Sequence, residues 1–302
     1  MSSPATARVT PTGQTQIYVG GLPRTLEYPL ERLVFTGKYL TDMLVVRLDL
    51  NVLRSLLPLE LEYLDPDGVF AKEGAPVIFS FGYMDSVEGP IPLVDLNYRE
   101  SLMSIPNCRL VGAGPSAYGG PFLFPTRLYL DKLTPTILGL LAGYPKVWVH
   151  VTTDQDDVPA NGLPPAWIKI GGEMMDLFRF HSPNRLEGSF TSPAGVDWTP
   201  VSQLTGFQEI SELLNQPVFG RELLDHRPLF SELAFDRSRA EGIPLQAEVN
   251  FLQPFITGMP AGVWNWPAGA AHDGLTPRCC FRLRMTWQLA GTFDPAELRL
   301  VP

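Results

Sequence analysis

The apolar positions of this chain fall mostly into short alternating or unbroken runs, and only a few stretches carry helical spacing. Residues 43–50 read Met-Leu-Val-Val-Arg-Leu-Asp-Leu and residues 77–84 read Val-Ile-Phe-Ser-Phe-Gly-Tyr-Met. Both are β-branched or aromatic runs bounded by turn residues, which is the pattern of strands. The same reasoning predicts strands over 93–104, 122–130, 167–170, 176–180, 245–255 and 280–289. A short helix is predicted over 51–57, with Val52, Leu53, Leu56 and Leu57 on one face and Pro58 ending it. Another is predicted over 203–214, where Leu204, Phe207, Ile210, Leu213 and Leu214 recur at helical spacing. Many short strands, few helices and Gly/Pro-rich turns imply a mainly β fold, a barrel or sandwich with peripheral helices.

Composition narrows the classes. The 302 residues suit one large domain or two small ones; no repeat is evident, and the proline-rich run 158–165 reads as a surface loop. One domain over 16–302 is expected, preceded by a Ser/Thr/Pro/Ala-rich arm over 1–15 that is disordered or extended. A net charge of −9 argues against nucleic acid or an anionic membrane surface as partner. No apolar run approaches the roughly 20 residues that span a bilayer. Cys108, Cys279 and Cys280 offer no disulfide framework, so a reducing cytoplasm is the expected location. His150, His181, His226 and His272 lack ligand spacing, and the glycines at 112, 114, 119 and 120 match no nucleotide-binding pattern. No metal or cofactor is expected.

Two constellations carry candidate chemistry. Gly143-Tyr144-Pro145-Lys146 follows a predicted apolar helix, with Thr134 as cap, Pro135 as first helical residue and Gly143 as a left-handed stop. It precedes the apolar strand that carries Val147, Trp148, Val149 and Val151. Flanked in this way, Lys146 is expected to be desolvated, by residues such as Leu140, Leu141 and Trp148, and so biased toward its neutral, nucleophilic form. The alternative is a lysine that lays its methylenes on apolar surface and keeps its charge in water. In the second constellation, Asn97-Tyr98-Arg99-Glu100-Ser101, strand alternation sends Tyr98 and Glu100 to the same face. On an inward face that pair could move protons; on an outward face it is a solvated edge.

Tyr98-Arg99-Glu100-Ser101, then Ile105-Pro106, then Tyr129-Leu130-Asp131, then Tyr144-Pro145-Lys146 resembles, in order and spacing, the pattern of the acetoacetate decarboxylase family. The resemblance covers about residues 40–151, with Val45-Val46-Arg47 and Leu53-Arg54-Ser55-Leu56-Leu57-Pro58 similar to the family's opening segment. It implies an acetoacetate decarboxylase-like antiparallel β-barrel with a flanking sheet and a few peripheral helices. By resemblance Lys146 is the imine-forming lysine and Glu100 the nearby carboxyl; Tyr98, on the same strand face as Glu100, is expected to assist by orienting the substrate oxygen or the carboxyl through a hydrogen bond. Activation of that lysine by apolar surroundings or a neighbouring cation is the mechanism attributed to acetoacetate decarboxylase itself and is implied by the resemblance alone.

The chain departs from the family where it has Val147 in place of a second lysine and Gly139-Leu140-Leu141 in place of Gly-Arg-Glu. Some members carry a further Gly-Tyr-Pro-Lys downstream, and the distance from Tyr129-Leu130-Asp131 favours the catalytic one for Lys146. The implied function is a Schiff-base-forming, decarboxylase-like lyase acting on a β-keto acid or related carbonyl substrate, with specialised metabolism among its settings. An aldolase or dehydratase of the same family, and a non-catalytic small-molecule-binding or scaffold protein, are the alternatives. A homo-oligomer is expected.

Overall fold

The computed structural model describes residues 12–19, 22–29, 34–64, 74–89, 96–113, 118–153, 167–173, 186–192, 194–222, 225–252, 262–266, 279–294 and 297–301. Within them the strands are β1 Thr12–Val19, β2 Leu22–Pro29, β3 Val34–Leu48, β4 Leu61–Tyr63, β5 Ala75–Glu88, β6 Tyr98–Leu110, β7 Phe122–Leu130, β8 Lys146–Thr153 and β9 Trp167–Glu173. They continue with β10 Leu186–Thr191, β11 Thr199–Pro200, β12 Val218–Arg221, β13 Pro228–Phe235, β14 Glu241–Pro244, β15 Gln246–Phe251, β16 Gly262–Trp266, β17 Cys279–Phe293 and β18 Arg299–Val301. The α-helices are Leu50–Leu56, Leu133–Leu141 and Phe207–Leu214. None of the described helices is long and apolar enough to cross a membrane.

Seven strands close a barrel in the order β7-β12-β13-β17-β3-β5-β6 and back to β7. Outside it, β8, β9, β10, β15 and β16 extend the sheet from β7, while β1, β2 and β18 form a separate three-stranded sheet. The expected N-terminal arm lies outside the described residues as far as residue 11, and its end is extended as the start of β1, Thr12 pairing with Pro29.

Alternation explains how the barrel strands bury both faces. Leu44, Val46 and Leu48 of β3 and Val77, Phe79 and Phe81 of β5 point outward into a core shared with Val149, Val151, Ile170, Phe190 and Phe251 of the outer sheet. Phe79 meets Phe251 and Phe81 meets Phe190, each with centroids 5.4 Å apart, so aromatic pairs tie the barrel wall to that sheet. The intervening residues, Tyr39, Met43, Val45, Ile78 and Met84, point inward to a second core with Tyr98, Leu283 and Trp287.

The 43–50 run is only the end of β3, which starts at Val34, and Leu50 opens a helix capped by the Asp49 carboxylate, which accepts from Asn51 N at 2.8 Å. β6 runs past the expected limit of 104 to Leu110, taking in Pro106 where the register with β7 shifts between Ile105 and Cys108. An irregular ladder tolerates the missing N–H. The helix predicted over 203–214 begins only at Phe207, because Gly206 takes a left-handed conformation, φ 83°, after a 3-10 turn over Val201–Gln203. The predicted strand 176–180 and the loop 158–165 lie outside the described residues.

Asp42 and Arg282, directly opposed on β3 and β17, form a buried two-bonded ion pair at 2.7 and 2.9 Å. Burial raises the Asp42 pKa, and Arg282 opposes that shift. Removing one partner strands the other in low dielectric, so Asp42→Ala is expected to lower stability by about 3–5 kcal/mol in a denaturant titration.

Candidate active site

β7 changes its parallel neighbour part-way along. Leu123 pairs with Val218 of β12, whereas Leu128, Tyr129 and Leu130 pair with Lys146, Val147 and Trp148 of β8. Lys146, first residue of β8, therefore sits at the fork where the outer sheet leaves the barrel wall. The segment leading to it is pinned by backbone hydrogen bonds: Tyr144 N donates to Gly139 O, Arg221 N to Gly143 O, and Leu128 N to Pro145 O. Gly143 has φ 88°, and a Cβ there would lie 2.6 Å from Arg221 O, so glycine is required on both counts. The preceding helix starts at Leu133, with Lys132 rather than Thr134 in the N-cap position and no side chain capping it.

From the fork Lys146 reaches a cavity inside the barrel in which the space open to water-sized atoms is about 120 Å³. Tyr98 and Glu100 line the same cavity, as alternation along β6 requires, together with Tyr39, Tyr144 and Trp287 and an otherwise mostly apolar wall. The register sets the spacing. Lys146 opposes Leu128, Leu128 opposes Leu102, and Glu100 lies two residues from Leu102 along β6. Lys146 Nζ lies 5.1 Å from the centroid of the Tyr98 ring, a cation–π approach, and forms no hydrogen bond or ion pair among the described residues.

Glu100 is 3 % exposed and Tyr39 3 % exposed, so both are removed from bulk water. Burial lowers the proton affinity of Lys146, and Glu100 counters it in part. Burial likewise raises the Glu100 pKa above the usual carboxylate value, against the pull of Lys146 and of the Tyr39 and Tyr98 phenols. Desolvation outweighs attraction in both partners, so the pair is biased toward neutral amine and neutral acid. Tyr39 and Tyr98 are held as phenols, chiefly by burial and then by the Glu100 charge. Tyr39 Oη makes no hydrogen bond of normal geometry among the described residues, yet it is close enough to Glu100 for each to shift the other's ionisation.

No protein-family model and no curated protein matches the sequence. Solved structures do. The enduracididine biosynthesis enzyme MppR complexed with pyruvate superposes with a TM-score of 0.52 at 15% identity, covering 87% of this chain and 90% of that one. Acetoacetate decarboxylase from Legionella pneumophila subsp. pneumophila superposes with a TM-score of 0.50 at 13% identity, covering 91% and 89%. The fold is that of the acetoacetate decarboxylase-like enzymes.

Within this acetoacetate decarboxylase-like barrel, several groups around Lys146 differ from the sequence-based expectation. Leu141 is 64 % exposed and turned away, so the helix offers Pro135, Leu138, Gly139 and Ala142 to the space beside Lys146. Val147 packs against the outer core, on the face of β8 opposite Lys146, so the position that departs from the family's second lysine does not border the cavity.

The roles of three residues escaped the sequence reading. Tyr39 belongs to the part of β3 that was not predicted. A Cβ on Gly82 would lie 2.4 Å from Tyr39 Cε2, and Gly82 is itself paired with Glu100, so its missing side chain is the groove through which the phenol crosses β5. Gly139 does the same for Lys146, whose Cδ lies 2.1 Å from where a Cβ would stand. Among the described residues no three His, Cys, Asp or Glu side chains converge as metal ligands.

Proposed function

We propose that this protein is a Schiff-base-forming lyase acting on a carbonyl compound, with Lys146 as nucleophile, Glu100 as proton carrier and Tyr98 orienting the carboxyl. The observation that supports this most is a lysine with weakened proton affinity lining an apolar cavity together with a buried carboxyl. Nζ adds to the carbonyl carbon and the oxygen leaves as water, taking both amine hydrogens. Protonation of the resulting C=N by Glu100 gives an iminium, which accepts the electron pair released when a bond to the neighbouring carbon breaks. Carbon dioxide loss from a β-keto acid and aldol cleavage both use this sink. MppR, of the same fold, has been seen with pyruvate and with a condensation product of pyruvate and an aldehyde, which is chemistry of this class.

Incubation with carbonyl compounds followed by borohydride reduction is expected to fix substrate carbon on the peptide that carries Lys146, read by mass spectrometry. Labelling elsewhere, or none, sinks the proposal. Tyr39 acts through Glu100 as a positioning residue. Tyr39→Phe removes a phenol that favours the carboxylate, so the pH profile's carboxyl limb is expected to move to higher pH and kcat to fall about tenfold, an effect of roughly 1.4 kcal/mol on the poise of the carboxyl.

A further inference from the structure

A second apolar chamber, in which the space open to water-sized atoms is about 80 Å³, lies against the first. Tyr98, Tyr144, Lys146, Trp287 and Leu289 line both and so form the partition between them. The second chamber is completed from the other side by Phe35, Val87 and Leu96 and by Leu138, Gly139 and Ala142 of the helix. The candidate nucleophile thus stands in a shared wall, with apolar space on both sides of it.

Charge is as informative as shape. Among the described residues that line either chamber, Lys146 is the only Lys, Arg or His and Glu100 the only Asp or Glu. Once Lys146 becomes an iminium, Glu100 as carboxylate already balances it. A substrate carboxylate would be a second anion facing one cation in a low-dielectric space, at a large desolvation cost. The other polar groups suit a neutral oxygen. The Tyr39 and Tyr144 hydroxyls are buried without a hydrogen-bond partner of normal geometry among the described residues, and both phenols line the main cavity. Tyr144 is held as a phenol by burial, with the Ser231 hydroxyl near enough to oppose this in part.

We infer that the compound taken up at Lys146 is an uncharged ketone or aldehyde with apolar substituents, one arm in each chamber, rather than a small keto acid. This rests on the imine reading above. The covalent step is balanced without any co-reactant: the C=N bond forms, the carbonyl C=O bond breaks, and the oxygen departs as water with the two hydrogens of the amine. A substrate of this class carries no carboxylate to lose, so the bond broken next to the iminium is either a C–C bond to a hydroxylated carbon, whose hydroxyl proton passes to the Glu100 carboxylate as its C=O forms, or a C–H bond whose proton passes to Glu100 and whose electrons, held as the enamine, then expel the β-hydroxyl as water with that proton.

The test is a concentration series of borohydride trapping at one pH with pyruvate, acetoacetate, 2-butanone, 2-heptanone and 4-heptanone. Half-maximal labelling of Lys146 is expected at least tenfold lower for 4-heptanone than for either keto acid. The concentration should fall about fourfold per methylene buried along the ketones. 4-Heptanone should also outperform 2-heptanone, which has the same carbon count but one long arm. Leu138→Trp, or Ala142→Leu as a second variant, fills the smaller chamber and should weaken 4-heptanone at least tenfold more than it weakens 2-butanone.

Keto acids trapped at lower concentration than the ketones, or equal trapping of the two heptanones, overturns the inference while leaving the imine intact. If no carbonyl compound is trapped, the imine reading fails by itself. The ligand class is then decided by equilibrium binding of the same compounds, read from tryptophan fluorescence, and tighter binding of the keto acids overturns it.

Discussion

Replacing Lys146 by methionine is expected to abolish borohydride-dependent labelling and to reduce turnover of a trapped substrate by on the order of 10³-fold or more, the scale on which loss of a nucleophile acts. Methionine keeps the length and apolar character of the stem while removing the amine, so the partition between the chambers should remain filled. The fold should not suffer, and the sign can be worked out. Burial lowers the Lys146 pKa from 10.5, so between that lowered value and 10.5 the unfolded chain binds more protons than the native one. Stability contributed through this group therefore rises with pH across that window, and below it the native state carries a constant penalty. The methionine variant lacks both penalty and rise, so it should melt at or above the unmodified protein at pH values below 4.5, where ionisation of Glu100 does not yet set the two proteins apart. A variant that loses labelling because it has unfolded would melt lower.

Glu100 runs the other way. Its pKa is raised above 4.5, so the native state holds the extra proton between 4.5 and the raised value, and stability falls as pH rises through that window. Removing Lys146 also removes the charge that pulls the Glu100 pKa down, so in the methionine variant this window extends further upward. For the unmodified protein, the rate of imine trapping should climb with pH as the amine deprotonates and level off below the 10.5 of an exposed lysine. Initial rates of borohydride labelling at constant carbonyl concentration measure this directly. A midpoint at or above 10.5 would place Lys146 in water.

The parts of this architecture legible in the sequence are those where local pattern and final burial agree. The 43–48 and 77–84 runs are apolar on both faces because β3 and β5 stand between the barrel interior and the outer sheet. The inward pairing of Tyr98 with Glu100 follows from alternation, and β7 occupies the predicted 122–130. The first half of β3 was not legible, because Gly37, Lys38, Thr41 and Asp42 interrupt its apolar pattern. Asp42 is buried only because Arg282 arrives from 240 residues away, and no local rule contains that partner. Tyr39 was lost with this segment. The helix Leu133–Leu141 was legible as a helix but not in its facing: Leu133, Ile137 and Leu141 are exposed, while Pro135, Thr136 and Gly139 are buried. A small residue at a helix interface marks where something else passes, and the sequence does not say what.

At Gly139 what passes is the nucleophile, and the second large effect is expected there. A Cβ at position 139 would stand 2.1 Å from Lys146 Cδ, 2.3 Å from Cε and 2.8 Å from Nζ, closer than any real contact, so Gly139→Ala must displace the lysine. The fold can accommodate this cheaply, since the atoms in the way are the far end of a flexible side chain rather than backbone. Alanine in place of glycine inside a helix also contributes about 1 kcal/mol of favourable propensity. Stability and activity are therefore expected to separate. Gly139→Ala should melt within a few degrees of the unmodified protein or above it, while labelling of Lys146 and turnover fall about 10²-fold or more, since a misplacement near 1 Å at a reacting group costs that much. A glycine kept merely for helix packing would show the reverse, a lower melting temperature with trapping intact, and that result would remove the lysine from the route over Gly139 into the barrel.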